Sequence, residues 1–207
     1  MLRELSCDNF TSLLASAEPV PGGGGASALC GALGAALCAM AARLTVGKKK
    51  FAAYTDELDG IITEADSIRS ELMGLIDADA EGFAPLAAAY AMPKDSPDYV
   101  ETMTNATLTA CKAPFEMMRC CVKAAELLER LYDGKCSALL ISDVGCAAAQ
   151  LDAALRSAAM NVFVNTKTIR NNAQAIAMES TAKAWLTDYI PRVRAISQGV
   201  LDRLSEV

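Results

Sequence analysis

An all-α fold, an antiparallel bundle of about six helices forming a single domain over residues 1–207, is what this sequence predicts, and three observations carry the expectation. Hydrophobic residues make up 53% of the chain and aromatics only 5%, and alanine and leucine, both strong helix formers, fill the difference. Apolar residues recur at helical spacing through several long segments. No segment keeps the strict alternation of a half-buried strand, and Val162-Phe163-Val164 continues the register of the helix before it.

The elements follow in order. A short helix from near Asp8 leads to Pro19-Val20-Pro21 and then to Gly22, Gly23, Gly24 and Gly25. From about Ala26 a helix is expected to reach Thr45 or Val46, where Gly47 and Lys48, Lys49 and Lys50 supply stop signals, glycine beyond the end and cations near the last turn. The next helix should run from about Ala53 to Tyr90, with Leu58, Ile61, Ile62, Ala65, Ile68, Leu72, Leu75, Ile76, Phe83 and Leu86 on its apolar face, and Pro93 beyond it. Ser96-Pro97 predicts a further start, a cap followed by proline at the first helical position. That helix should extend to Tyr132, kinked at Pro114 and closed by Asp133-Gly134. Ser142-Asp143 opens a helix to about Val164, and a last one spans about Ile169 to Leu204, bent near Pro191.

From Pro19 to Ala42 the chain carries no charge, so this stretch must be weighed as a membrane span. Glycine and alanine dominate it, and isoleucine and phenylalanine are missing, which makes its transfer into lipid weakly favourable. A helix buried at the centre of a bundle and of a homodimer is the expected reading, because small residues permit close helix approach. No membrane partner is expected. The formal net charge of −6 provides no general field for a nucleic-acid backbone, so no nucleic-acid partner is expected either. The amino-terminal MLRELSCDNF holds charges and no apolar run, which leads to the expectation of a cytoplasmic protein without a signal peptide.

The sequence contains no histidine, which removes the commonest general base and any histidine-ligated zinc. Eight cysteines include no C-x-x-C pair, so buried, reduced thiols are expected rather than a disulfide framework or a metal site. Chemistry must fall to carboxylates, lysines, hydroxyls, thiols, amides or the backbone. Among these Asp79 is distinctive. At about 100° per residue it lies about 20° from Leu72 and about 40° from Leu75 and Phe83, within the apolar stripe, whereas Asp77 falls about 160° away on the polar face. A carboxylate in apolar surroundings pairs with a cation, caps a helix, or has a raised pKa and serves a site.

The four glycines before a helix can aim free N–H groups at an anionic or carbonyl oxygen, or can be a structural turn. They lack the context of a nucleotide-binding loop, having neither a preceding strand nor a terminal G-K-[ST]. Asp143 is an acid in a helix's first turn, where the dipole alone accounts for it. Asn161 and Asn165 share one face above Ala154 and Ala158, suited to helix-to-helix hydrogen bonds or to ligand recognition. Asp143 and Asn161 share a face but stand about 27 Å apart along their helix, too far to meet one small ligand within one chain. Lys48, Lys49 and Lys50, with Arg43 one turn earlier, form the concentrated basic patch, either a solvated helix end or a site for an anionic tail.

Taken together, ASAEPVPGGGGASALCGALGAAL, ARLTVGKKK, LIDADAEGF, AMPK, ISDVGCAAA and MNVFVNTKTI give the chain a pattern that resembles the cyclodeaminase/cyclohydrolase family of folate enzymes. The resemblance implies an intertwined homodimer acting on a tetrahydrofolate derivative, in monoglutamate or polyglutamylated form, as substrate, with no cofactor and no metal. It implies cyclisation of 5-formimidoyltetrahydrofolate to 5,10-methenyltetrahydrofolate with loss of ammonia. The alternatives are hydrolysis of the methenyl compound and a non-catalytic folate-binding or interaction protein. On this reading Asp79 carries protons. Gly22, Gly23, Gly24 and Gly25 approach the pterin or the glutamate carboxylate, Lys48, Lys49 and Lys50 meet the glutamate tail, and Asp143, Asn161 and Asn165 bind substrate. Family members commonly carry Gly-Asn shortly before the Ser-Asp, where this chain has Cys136-Ser137, so specificity is expected to differ if that asparagine touches substrate.

Overall fold

The structure, a computed structural model, describes residues 1–205. Six α-helices run in order: α1 (Cys7–Leu14), α2 (Gly23–Arg43), α3 (Thr55–Tyr90), α4 (Tyr99–Tyr132), α5 (Ile141–Thr166) and α6 (Ala173–Ser205). Short 3-10 turns at Leu2–Glu4, Lys49–Tyr54, Ala138–Leu140 and Lys167–Ile169 connect or precede them. Among the described residues there is no strand. The fold is therefore the expected helical bundle, and successive long helices run antiparallel because their connections are short.

Several ends fall elsewhere than local signals place them. α2 begins at Gly23 rather than Ala26, so three of the four glycines lie inside its first turn, with Gly22 as N-cap. α4 begins at Tyr99, past Ser96-Pro97, with Asp98 at its N-cap. α6 begins at Ala173, where the Asn172 side chain accepts hydrogen bonds from the N–H groups of Gln174 and Ala175 at 2.9 and 3.1 Å. That amide is a better cap than anything near Ile169, because it satisfies two of the helix's free donors. Pro85, Pro114 and Pro191 all lie within helices. Gly47 and Gly134, at φ of +80° and +74°, are where the backbone turns left-handed after α2 and α4.

α2 sits at the centre, against α3, α4 and α5. Its small residues make this possible. A β-carbon on Gly34 would come within 2.9 Å of Leu151 Cγ on α5, and one on Gly31 within 3.1 Å of Cys121 Sγ on α4. Around it pack Leu58, Ile61, Leu72 and Ile76 of α3, Met117, Met118 and Leu128 of α4, and Leu151 and Leu155 of α5, all fully buried. Burial is not complete on all sides, however. Leu33 is 49% exposed and Leu44 52%, and Ala26, Leu29, Cys30, Leu37 and Met40 are half-buried along the same outward stripe. Beyond the bundle the ends of α3 and α4 form a hairpin with a small core of its own, Leu86, Ala89, Ala106 and Ala110 against Phe83 and Met103.

Candidate active-site cleft

Antiparallel packing of α3 on α2 carries Asp79 to the amino-terminal end of α2. That end has no side-chain cap of its own, since Gly22 has no side chain to offer. The carboxylate of Asp79 fills the place: a β-carbon on Gly24 would fall directly on its oxygens, and the neighbouring Gly25 N–H acts on it as a backbone donor that lowers its pKa. A negative charge here meets both the free donors and the positive end of the helix dipole. The Gly25 N–H is thus turned to a carboxylate of the same chain, while Gly22, Gly23 and Gly24 line the cleft. Among the described residues no cation pairs with Asp79, so of its two structural alternatives only helix capping applies. Burial pushes its pKa up from 3.8 to about 6, with the Gly25 hydrogen bond acting in the opposite direction. A carboxyl group so placed is ionised at neutral pH yet close enough to titration to accept and return a proton.

The carboxylate opens into a cleft of about 180 Å³. Pro19 and Val20 form one wall with Gly22, Gly23 and Gly24, and Phe83 and Ala110 form another. Asn161, Val164 and Asn165 complete it from α5. The Asn161 amide donates to the Ser157 carbonyl at 2.9 Å, which holds its head near Gly23, where a β-carbon would stand 3.5 Å from Nδ2. Asp79 is the one titratable side chain among the described residues lining the cleft. Gly25 faces the other way, with Pro21, Ile76 and Phe10 around the position of a β-carbon, and reaches the cleft only through the N–H it gives Asp79. Phe83 was legible as a neighbour of Asp79, one turn on along the same face. Ala110, Pro19 and Val20 carried no local signal of their place here.

The remaining predicted residues lie elsewhere in the chain. Lys48, Lys49, Lys50 and Asp143 are at the opposite end of α2, about 30 Å away at 1.5 Å per residue. Lys48 Nζ donates to Ser137 Oγ at 3.0 Å, and the Ser137 N–H donates to Thr45 Oγ1 at 3.1 Å. Lys50 lies over the Phe51 ring, 5.6 Å from its centre, and Lys49 is exposed. Asp143, half-buried in the first turn of α5, and Lys48 both act on Cys136, whose thiol is pushed up chiefly by burial. Cys136-Ser137 thus belongs to this second polar cluster. Since α2 and α5 are each continuous, one chain cannot fold the two clusters together.

Asp77 departs from its expected solvated position. The Leu2 N–H donates to its Oδ1 at 2.6 Å, Arg3 Nε stands 3.4 Å from its Oδ2, and its side chain is only 14% exposed. The face of α3 that is polar in phase is covered by the Leu2–Glu4 turn. All eight cysteines are free. Burial raises the thiols of Cys38, Cys111, Cys120 and Cys121, while Cys7 and Cys146 are exposed, contrary to the expectation for cysteines in general. A larger groove of about 730 Å³ lies between α5 and α6. Its acid, Glu179, has a lowered pKa because the Lys183 ammonium hydrogen-bonds to it, so it is unsuited to returning protons near neutrality.

The profile of the formiminotransferase-cyclodeaminase family matches residues 6–184. The chain is 37% identical over 172 residues to the methenyltetrahydrofolate cyclohydrolase of Methylorubrum extorquens, covering 81% of this chain and 82% of that one. It is 28% identical over 172 residues to the formimidoyltransferase-cyclodeaminase of Rattus norvegicus, covering 80% of this chain but only 31% of that protein. The crystal structure of formiminotetrahydrofolate cyclodeaminase from Thermotoga maritima superimposes with a TM-score of 0.83 at 27% identity, covering 97% of this chain and all of that one.

Proposed function

We propose, from the premise that the chain belongs to the formiminotransferase-cyclodeaminase family, that this folate one-carbon enzyme hydrolyses 5,10-methenyltetrahydrofolate to 10-formyltetrahydrofolate. Likeness to the Methylorubrum cyclohydrolase, over most of both chains, favours this reaction. The observation that carries the proposal is the lone, half-buried carboxylate of Asp79, poised near pH 6 in the cleft. The methenyl group is an amidinium cation, and an anionic carboxylate beside it stabilises the bound charge. Water adds to the amidinium carbon as Asp79 takes a proton from it, giving a neutral hydroxy adduct. The bond from that carbon to the 5-nitrogen then breaks as Asp79 returns its proton to the nitrogen. The adduct's hydroxyl proton leaves to solvent, and the formyl group remains on the 10-nitrogen. The amides of Asn161 and Asn165 are placed to orient the water or the pterin.

A second reading is cyclodeamination, favoured by likeness to the Thermotoga cyclodeaminase. Here the 10-nitrogen attacks the carbon of the formimidoyl group protonated on its imino nitrogen, Asp79 takes the proton from the 10-nitrogen, and it passes the proton to the amino group of the adduct, which leaves as ammonia. One proton carrier serves both reactions. Following methenyl absorbance separates them: accelerated decay of 5,10-methenyltetrahydrofolate supports hydrolysis, and formation of it from 5-formimidoyltetrahydrofolate with ammonia release supports cyclodeamination. No acceleration of either would overturn both and leave a binding protein.

The same proposal includes a homodimer through the outward faces of α2 and α5. Leu33 on α2, Leu44 at its C-cap, and Met160 and Val164 on α5 are 49%, 52%, 67% and 62% exposed, large apolar side chains that a partner surface would cover. A two-fold contact between antiparallel copies of α2 would set the carboxyl end of one beside the amino end of the other. Lys48 and Asp143 of a second copy would then approach the cleft that holds Asp79, bringing together residues that a single chain keeps about 30 Å apart.

A further inference from the structure

Residues 1–21 run as a strap over α3 and end where α2 begins. Its first fastening is Asp77, which takes the Leu2 N–H at 2.6 Å and faces Arg3 Nε at 3.4 Å. Asp77 Oδ2 is buried and accepts no hydrogen bond, so the charge of Arg3 is what compensates it. Its second fastening is Phe10 of α1, only 4% exposed. A β-carbon on Gly25 would lie 3.9 Å from Phe10 Cζ, 3.8 Å from Ile76 Cγ2 and 3.2 Å from Pro21 Cβ. Ile76 directly precedes Asp77 on α3. The strap is therefore fixed to α3 at one end, wedged between α3 and α2 at the other, and continuous with the glycines whose N–H meets Asp79.

We infer that Asp77 is a positioning residue for the active site: by fastening the amino-terminal strap to α3, it sets the Gly25 N–H on the carboxylate of Asp79. This rests on the reading of Asp79 as the proton carrier. Were Asp77 only a stabilising contact, its loss would lower the melting temperature and shift Asp79 only downward, as the removal of a nearby negative charge does. The side chains turned to Asp79 from the strap's end, α2, α4 and α5 are Pro19, Val20, Ala110, Asn161, Val164 and Asn165, none of them titratable. On α3 itself Asp77 and Glu81 line a groove on the other side, with Leu2 and Leu13.

The sign of the titration discriminates. Replacing Asp77 by Asn removes a nearby negative charge, which alone would lower the pKa of Asp79. Loosening the Gly25 N–H removes a hydrogen bond to the charged form, which raises it. The experiment is a carboxyl NMR titration of Asp79 in the full-length protein, in the Asp77→Asn variant and in Leu2→Pro, which deletes the donor without changing charge and is tolerated at the start of a helical turn. Both variants are expected to move the Asp79 midpoint upward from about 6. They are also expected to speed hydrogen exchange at the Gly25 amide. A fall in Asp77→Asn together with no movement in Leu2→Pro overturns the inference. So does a rise of equal size in Arg192→Gln, a residue that joins α6 to Glu129 on α4 through two of its three hydrogen bonds and has none to the strap. Since no readout requires substrate, an inactive protein that titrates as expected would count against the proposed reaction and leave the positioning role standing.

Discussion

The carboxylate of Asp79 occupies the space that a β-carbon on Gly24 would need, so an acid at one position requires glycine at the other. Fifty-four residues lie between them in sequence, yet they form one unit, a helix amino terminus capped from outside.

Gly24→Ala should therefore act on chemistry before stability. The methyl group displaces the carboxylate, and turnover is expected to fall about a hundredfold, the usual scale for a lost proton carrier. Overpacking should cost about 1–3 kcal/mol. Gly22→Ala is the contrast, because its nearest neighbour to a β-carbon is the Pro19 carbonyl at 3.9 Å. Thermal melts of the two variants, with turnover, check the difference; equal effects would show that the close approach is unimportant.

Asp79→Asn keeps shape and one acceptor while removing titration. Turnover should fall about a hundredfold with little change in substrate affinity. Its stability should show a particular pH dependence. The folded pKa, about 6, lies above the ordinary 3.8, so the folded state holds the proton more tightly. The group's stabilising contribution is present at low pH and lost as pH rises through about 6. The variant lacks that loss, so at pH 8 it should be as stable as the parent or more so, and the gap should close toward pH 4. Denaturation at several pH values tests this, and a large destabilisation at pH 8 would point to a cap essential to the fold.

The Lys48, Lys49 and Lys50 patch gives a third prediction. With all three changed to Gln, affinity for a polyglutamylated folate should fall more than affinity for the monoglutamate, and the difference should shrink as salt rises. Equal loss for both would show a helix end with no part in binding. Lys48 should be changed singly as well, because its bond to Ser137 gives it a structural role that Lys49 lacks.

Leu33→Glu places a charge in the middle of the exposed α2 stripe. Light scattering should show a folded dimer for the parent and a smaller species for the variant, with loss of turnover if the second copy completes the cleft. A parent that remains monomeric at micromolar concentration and is fully active would dismiss the homodimer.

The long helices, the apolar stripe of α3 and the anomalous place of Asp79 within it were set by the sequence alone, because helical phase is a local property that repeats every few residues. The same phase placed Asp77 on the polar side of α3, and that inference failed for a reason no local pattern contains. A turn at Leu2–Glu4, far away along the chain, covers that side and supplies the donor and the cation that a buried carboxylate needs. The first turn of α2 was obscured similarly. Three glycines have poor intrinsic helix propensity, and they become helical because Asp79 satisfies a free donor and neighbouring elements exclude larger side chains. Tertiary structure also decided that Asn161 and Asn165 face Asp79 while Lys48 and Asp143 do not. Which face of a helix is polar follows from its own residues, but what covers that face, and which distant end it meets, is decided by the packing of the whole chain.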